Sequence, residues 1–288
     1  MKPHQPVLLE PVLEVLKPQP HESYLDLTAG YGGHASAILE LTQNYKDTVL
    51  VDRDQTAVDY LHEHIKNASI IHSDFYSATL SLLKCGKVFD IILLDLGVSS
   101  PQLDAAARGF SFREEGNLDM RMDKRDGINA EHVVNRYSER ELTDVIIRYG
   151  EESPGLAAKI ARAIVHARPL QTTTELAEIV RRQFPAYSKT HPATKTFQAI
   201  RIEVNRELEL LEQVLPLLPR LMKPGGRVGI ISFHSLEDRL VKNFIKDYST
   251  GLEAKLKPIT KHPIIASDSE IVNNPRSRSA KLRAAAAL

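Results

Sequence analysis

The chain has 288 residues, 42% hydrophobic and 26% charged, with 37 Lys and Arg balancing 37 Asp and Glu. No global field therefore draws it towards nucleic acid, and any RNA binding has to come from local basic clusters. Its one cysteine, Cys85, excludes an internal disulfide and a Cys-rich zinc site, and no apolar run approaches the roughly 18 residues of a membrane span.

The stretch "MKPHQPVLLEPVLEVLKP" lacks the uninterrupted apolar centre of a signal peptide, so a cytoplasmic location is expected. From residue 23 to about 100, short apolar runs alternate with helix-sized segments. "SYLDL" precedes a helical pattern over 33–42, "TVLVD" one over 55–65 and "SIIHSD" a third, before "FDIILLDLGV" at 89–98. Such runs predict parallel strands covered on both faces. Residues 104–204 show capped helices and no convincing strand. "SERELTDVIIRYG" opens on a capping box of Ser138 and Glu141 and closes on Gly150, and "TTTELAEIVRRQF" repeats the device with Thr172 and Glu175. Val204, Leu208, Leu211, Leu215, Leu218 and Leu221 then recur at helical spacing, with Pro216 and Pro219 expected to kink or shorten that helix. The run "GGRVGIISF" at 225–233 resumes the sheet, and the alanine-rich end "RAAAAL" is expected to fray. The expected class is α/β: a discontinuous domain of 1–103 and 205–288, with an all-helical domain, 104–204, inserted into it.

Within "YLDLTAGYGGHAS" (24–36), Gly30, Gly32 and Gly33 follow the first strand. A P-loop is excluded, since no Lys-Ser or Lys-Thr follows, and the dinucleotide fingerprint matches only loosely, with Ala at position 35. The strand ends narrow the ligand. Asp26 closes the first strand, where a carboxylate repels pyrophosphate but suits a cation. Asp52 closes the second, where an acid can accept ribose hydroxyls. Ser73, Asp74 and Phe75 follow the third, offering a polar contact and an aromatic face for a purine; Asp95 closes the fourth. This edge suits adenosine bearing a positive sulfonium, which is S-adenosylmethionine. Each residue also has a plainer use: a strand-terminal Asp often caps the next helix, Phe75 fits a core, and His34 could cap. What singles these residues out is that they share one edge, because ligands collect at the carboxyl ends of such strands.

The long loop "LLDLGVSSPQLDAAARGFSFREEGNLDMRMD" (93–123) carries Phe110, Phe112, Leu118, Met120 and Met122 among charges, and loops of this length are commonly functional. Together with "HQPVLLEPV" (4–12), "HPATKTFQAIRIEVNREL" (191–208), "SFHSLEDRLVK" (232–242) and "NPRSRSAKLRAA" (274–285), it identifies the family. The chain resembles the bacterial 16S ribosomal RNA (cytosine-N(4))-methyltransferases across essentially its whole length. The resemblance implies a Rossmann-like class I methyltransferase sheet with a helical insertion. It also implies methyl transfer from S-adenosylmethionine to the exocyclic amino group of a cytidine in the decoding region of the small ribosomal subunit. It implies cofactor contacts at Gly32, Gly33, His34, Asp52, Phe75, Asp95 and Gln102, to which position adds Asp26 and Gly30. Asn117 stands where the family usually has Pro, and Tyr31 occupies a loop position expected to vary.

The residues constrain the chemistry independently. Methylating cytosine carbon 5 needs a cysteine nucleophile, and Cys85 lies before the fourth strand, at the wrong end. An amino nitrogen is a poor nucleophile that has to be held in line while its protons find acceptors. Asp95 and the hydroxyls of Ser99 and Ser100 are the candidates, although Asp95 could serve the cofactor alone. His234 stands at the ligand edge, either to contact the target base or for structural reasons, beside an expected capping pair of Ser235 and Asp238. The basic clusters available to RNA are Arg121, Lys124 and Arg125; Arg181 and Arg182; Lys189, His191 and Lys195; and Arg276, Arg278, Lys281 and Arg283. Assembled small subunits, whose 16S rRNA presents a shaped surface, are the expected partner rather than naked RNA; homodimer formation stays open. Three rival readings remain from sequence alone: a dinucleotide oxidoreductase, a non-catalytic ribosome-assembly factor, and a methyltransferase of protein or small molecules.

Overall fold

The computed structural model describes residues 6–125, 127–184 and 191–288. Contacts divide the chain into two units, Met1–Gly97 with Leu208–Leu288 and Val98–Glu207. The first begins with α1 (Leu9–Leu16), β1 (Tyr24–Asp26), α2 (Gly33–Thr42), β2 (Thr48–Asp52), α3 (Gln55–His64), β3 (Ser69–His72), α4 (Phe75–Lys84) and β4 (Phe89–Asp95). The second holds α5 (Ser100–Asp104), α6 (Ala130–Arg136), α7 (Glu139–Gly150), α8 (Pro154–His166), α9 (Thr173–Arg181) and α10 (Thr194–Asn205). The chain continues through α11 (Glu207–Val214), α12 (Leu218–Leu221), β5 (Met222–Ser232), α13 (Ser235–Tyr248), β6 (Leu256–Pro258), β7 (Ile264–Ile265), α14 (Asp268–Asn273) and β8 (Lys281–Ala287).

Strands β1 to β5 are parallel, and the sheet order is β3-β2-β1-β4-β5-β8-β6, with β7 also on β8. Side chains alternate between two covered faces, as the apolar runs require. Ile92, Leu94, Val228 and Ile230 join one core with α4, α11 and α13. Their neighbours Ile91, Leu93 and Ile231 join the other with α1, α2 and α3. The chain runs from β1 outward to β3, then returns to place β4 on the other side of β1. Their carboxyl ends therefore form the switch point where such sheets open a crevice. This is the expected α/β class with a parallel-dominated, Rossmann-like sheet.

One expectation about the first unit fails and another holds. The alanine-rich end does not fray: Lys281–Ala287 is an interior strand, antiparallel to β5 on one side and to β6 and β7 on the other. Alanine is a weak strand former, but here its small side chain lies under α1 and α13, and Ala284 and Ala285 are buried. The helical spacing across 204–221 is interrupted, as its two prolines predict, and Arg206 adds a break of its own. Arg206 takes a left-handed conformation, φ 51°, that ends α10, and Pro216 and Pro219 break the rest into α11, a 3-10 turn and α12.

In the second unit, Ser138 with Glu141 and Thr172 with Glu175 form the expected capping boxes of α7 and α9. The end of α7 differs. Glu151, not Gly150, is the left-handed cap (φ 50°), and Gly150 stays helical, where an added Cβ would lie 3.0 Å from the Lys195 carbonyl of α10. The missing side chain serves helix packing. A separate apolar core gathers α6 to α10 around Leu118, Met120 and Met122 of the long loop. Asn205 secures that loop, donating to the Met120 carbonyl and accepting from Met122 N–H. Among the described residues no helix is long and apolar enough to cross a membrane.

Candidate active site at the carboxyl edge of the sheet

The glycine loop owes its shape to neighbours that exclude side chains. Gly32 has φ 76°, and a Cβ on it would come 2.8 Å from Ile65 Cδ1; one on Gly33 would come 2.6 Å from the Pro6 ring. Gly30, at φ 53°, donates its N–H to Asp52 Oδ2 at 2.7 Å, tying the loop to the end of β2. Asp52 Oδ1 accepts Asp54 N–H at 2.8 Å. A carboxylate has about four acceptor positions, so each oxygen retains capacity for a hydroxyl. Burial pushes the Asp52 carboxyl up to about 6, against the pull of those two N–H donors.

Asp26 is buried, with 2% of its surface exposed. Its Oδ2 accepts the Tyr24 hydroxyl at 2.6 Å and its Oδ1 accepts Thr28 N–H at 3.1 Å. Burial raises this carboxyl to about 7; the two donors oppose the shift and the Asp52 charge adds to it. Thr28 also accepts Asp95 N–H on its hydroxyl at 2.6 Å, linking the ends of β1 and β4. Asp95 Oδ1 is buried with no hydrogen-bond partner, although the side chain as a whole keeps 26% of its surface. Burial drives the Asp95 carboxyl well above the usual range, reinforced by Asp26 and Glu237. His34, inside the first turn of α2, places Nδ1 3.6 Å from Asp95 Oδ2 and Nε2 2.9 Å from the Val7 carbonyl. The N-cap of α2 is Gly32, so His34 stands inside the helix and not at its cap.

Three acids thus crowd the switch point with no lysine or arginine ion-paired to any of them among the described residues. Buried like charges of this kind favour a cation or protonation. Asp26, Gly30, Gly32, Gly33, His34, Asp52 and Asp95 all belong to this edge. Phe75 opens α4 and packs partly buried against the sheet core, so its plainer use is met. Asp74 is the N-cap of α4, accepting Tyr76 and Ser77 N–H, and not a free ligand group. The capping pair of α13 is His234 with Glu237, not Ser235 with Asp238. His234 Nδ1 accepts Glu237 N–H at 3.4 Å, and Glu237 Oε2 accepts Phe233 N–H at 2.8 Å. His234 Nε2 lies 3.2 Å from Glu237 Oε1 without hydrogen-bond geometry. Ser99, Ser100 and Gln102 belong to the second unit, where Gln102 is buried and its Oε1 accepts Ser99 N–H at 3.0 Å. Sequence reasoning missed Tyr24, Thr28 and Glu237. The period-two alternation that puts Tyr24 and Asp26 on one face was the signal available for the first.

The basic clusters are mostly neutralised in place. Arg121 pairs with Asp119 at 2.7 Å, Arg125 with Asp123 at 2.6 Å, and Arg181 and Arg182 share Glu178 at 2.7 and 2.9 Å. Lys195 lies 3.5 Å from Glu152, and His191 packs its ring on Phe112. Lys281 and Arg283 bind Asp238 at 3.2 and 2.7 Å, holding α13 against β8. Lys189 lies outside the described residues.

All 288 residues match the MraW methylase family. A ribosomal RNA small subunit methyltransferase H of Trichodesmium erythraeum is 46% identical over 289 residues, 98% of each chain. One from a Hydrogenobaculum species is 48% identical over 291 residues, covering 98% of this chain and 95% of the relative. Among solved structures, an rRNA methylase from Streptococcus thermophilus aligns over 97% of this chain and 95% of its own at 9% identity, with a TM-score of 0.42. With the family model matched over all 288 residues and relatives 46% and 48% identical over 98% of it, the chain belongs to the MraW methylase family.

Proposed function

We propose that the chain transfers a methyl group from S-adenosylmethionine to the N(4) amino group of a cytidine in the 16S rRNA of the small ribosomal subunit. The observation that carries the reading is Asp95: a buried carboxylate oxygen without a partner, at the switch point, in a nest of acids lacking a lysine or arginine partner, within a family of methylases. S-adenosylmethionine, when bound, supplies an electrophilic methyl on a positive sulfonium. The donor set fits it. Asp26 and Asp95 provide the negative environment a sulfonium needs, Asp52 has acceptor capacity for two ribose hydroxyls, and Phe75 is the aromatic residue for the purine. Gln102 joins this set by the family resemblance.

The cation and the acids act on each other. A positive charge beside Asp95 favours its ionised form, so a carboxyl whose ionisation burial opposes becomes a better hydrogen-bond acceptor once a cationic ligand is in place. That acceptor suits the amino protons of the target base, with Ser99 and Ser100 as supplementary acceptors. Holding the amino nitrogen in line with the methyl is worth roughly 7–11 kcal/mol in related alignments, and no covalent nucleophile is required. The test is incubation of tritiated S-adenosylmethionine with small subunits from cells lacking this activity, followed by nucleoside analysis. Label in N(4)-methylcytidine, lost in Asp95→Ala, is the expected result. Label in another nucleoside, or none, overturns the reading.

A further inference from the structure

The helical unit contains a groove of about 530 Å³ whose lining includes Asn129, Glu131, His132, Asn135, Arg136 and Arg168. Its charge differs from that of the clusters above. Arg136 is exposed on the last turn of α6 and has no carboxylate within ion-pair distance among the described residues. Arg168 spends Nε on the Val134 carbonyl at 2.7 Å and Nη2 on the Tyr137 carbonyl. Both partners are neutral, so its charge stays uncompensated while its guanidinium is held in a fixed plane. The Asn129 oxygen accepts His132 N–H at 2.8 Å, and its amide group keeps two N–H donors to offer. Asn135 is anchored on Leu170, whose N–H it accepts at 2.9 Å and to whose carbonyl it donates at 2.8 Å. The groove thus presents two guanidinium groups, an amide donor and an imidazole against the single acid Glu131.

We propose that this groove holds the phosphodiester backbone of the RNA substrate, with Arg136 and Arg168 as its phosphate contacts. The inference rests on the function proposed above and identifies a part of the insertion that grips the RNA. Guanidinium groups match phosphate oxygens in geometry, and a preordered one loses less freedom on binding. Glu131 opposes the same ligand, which gives the proposal a test with two signs.

Binding of small subunits should be measured by filter retention across a potassium chloride series, using full-length protein saturated with S-adenosylhomocysteine. Arg136→Gln is expected to weaken binding and to lower the slope of log K against log salt by about 0.7–0.9, the value for one phosphate contact. Glu131→Gln is expected to tighten binding. Circular dichroism and the unfolding midpoint verify that both exposed-site variants are folded. Wild-type slopes and affinities in both variants would overturn the proposal, as would stabilisation of wild type but not Arg136→Gln by inorganic phosphate with subunit binding unaltered, which would assign the groove to a small anion. Wild-type protein that binds subunits but methylates nothing would instead contradict the proposed function.

Discussion

Replacing Asp26 by Asn tests whether the acids at the switch point are as strained as their burial implies. The Asp26 carboxyl lies at about 7 in the folded protein against an ordinary 3.8. The fold therefore binds this proton more tightly than the unfolded chain does. The sign follows: the wild type loses stability as pH rises from about 4 to about 7 and stays at the lower level above that. The full gap corresponds to roughly 4 kcal/mol at 1.36 kcal/mol per pH unit, of which about 2.5 kcal/mol develops between pH 5 and pH 8. Asn cannot ionise and keeps none of this slope. It does weaken the bonds from Tyr24 and Thr28, by about 1 kcal/mol each, but that loss is nearly independent of pH. Urea denaturation of both proteins without cofactor at pH 5 and pH 8 should show the Asn variant gaining about 2.5 kcal/mol relative to wild type across the interval. Parallel profiles would refute the reasoning. The variant should also lose part of its preference for S-adenosylmethionine over S-adenosylhomocysteine, whose sulfur is uncharged.

Three further outcomes are expected. Gly33→Ala puts a methyl 2.6 Å from the Pro6 ring, displacing the segment whose Val7 carbonyl meets His34; overpacking of this kind costs about 1–3 kcal/mol. Thermal shift should show lower stability and a smaller response to S-adenosylhomocysteine, both recovered on adding Pro6→Ala, and an unaltered melting curve would contradict the packing argument. Cys85→Ser should methylate subunits at the wild-type rate, since the thiol is exposed at the end of α4, ahead of the amino end of β4; loss of methyl transfer would demand a thiol mechanism. Deleting residues 281–288 removes a strand paired on both sides, and circular dichroism should find no folded protein; a soluble, cooperatively unfolding truncation would show that β8 is dispensable.

Much of this molecule was legible in short stretches of chain. The apolar runs at 48–52 and 89–95 are strands because a parallel strand buried on both faces cannot alternate, and that condition is written in consecutive residues. The boxes at Ser138 and Thr172 start helices because both partners lie within one turn. The acids Asp26, Asp52 and Asp95 were locatable for the same reason, each ending a strand that announces itself. What tertiary contact decided was of another kind. "RAAAAL" has no strand propensity of its own and becomes one only because β5 and β6 offer it a ladder on each side. Whether Arg121 or Arg283 is free for RNA depends on Asp119 and Asp238, and the second pair joins a helix to a strand far along the chain. The charge state of the site is the clearest case. Tyr24, Asp26, Asp95 and Glu237 come from two strands and a helix, and while strand ends place Asp26 and Asp95 at one edge, no spacing along the chain reveals how poorly that edge is solvated. Local pattern governs what each segment becomes, while the dielectric around a carboxylate belongs to the assembled fold.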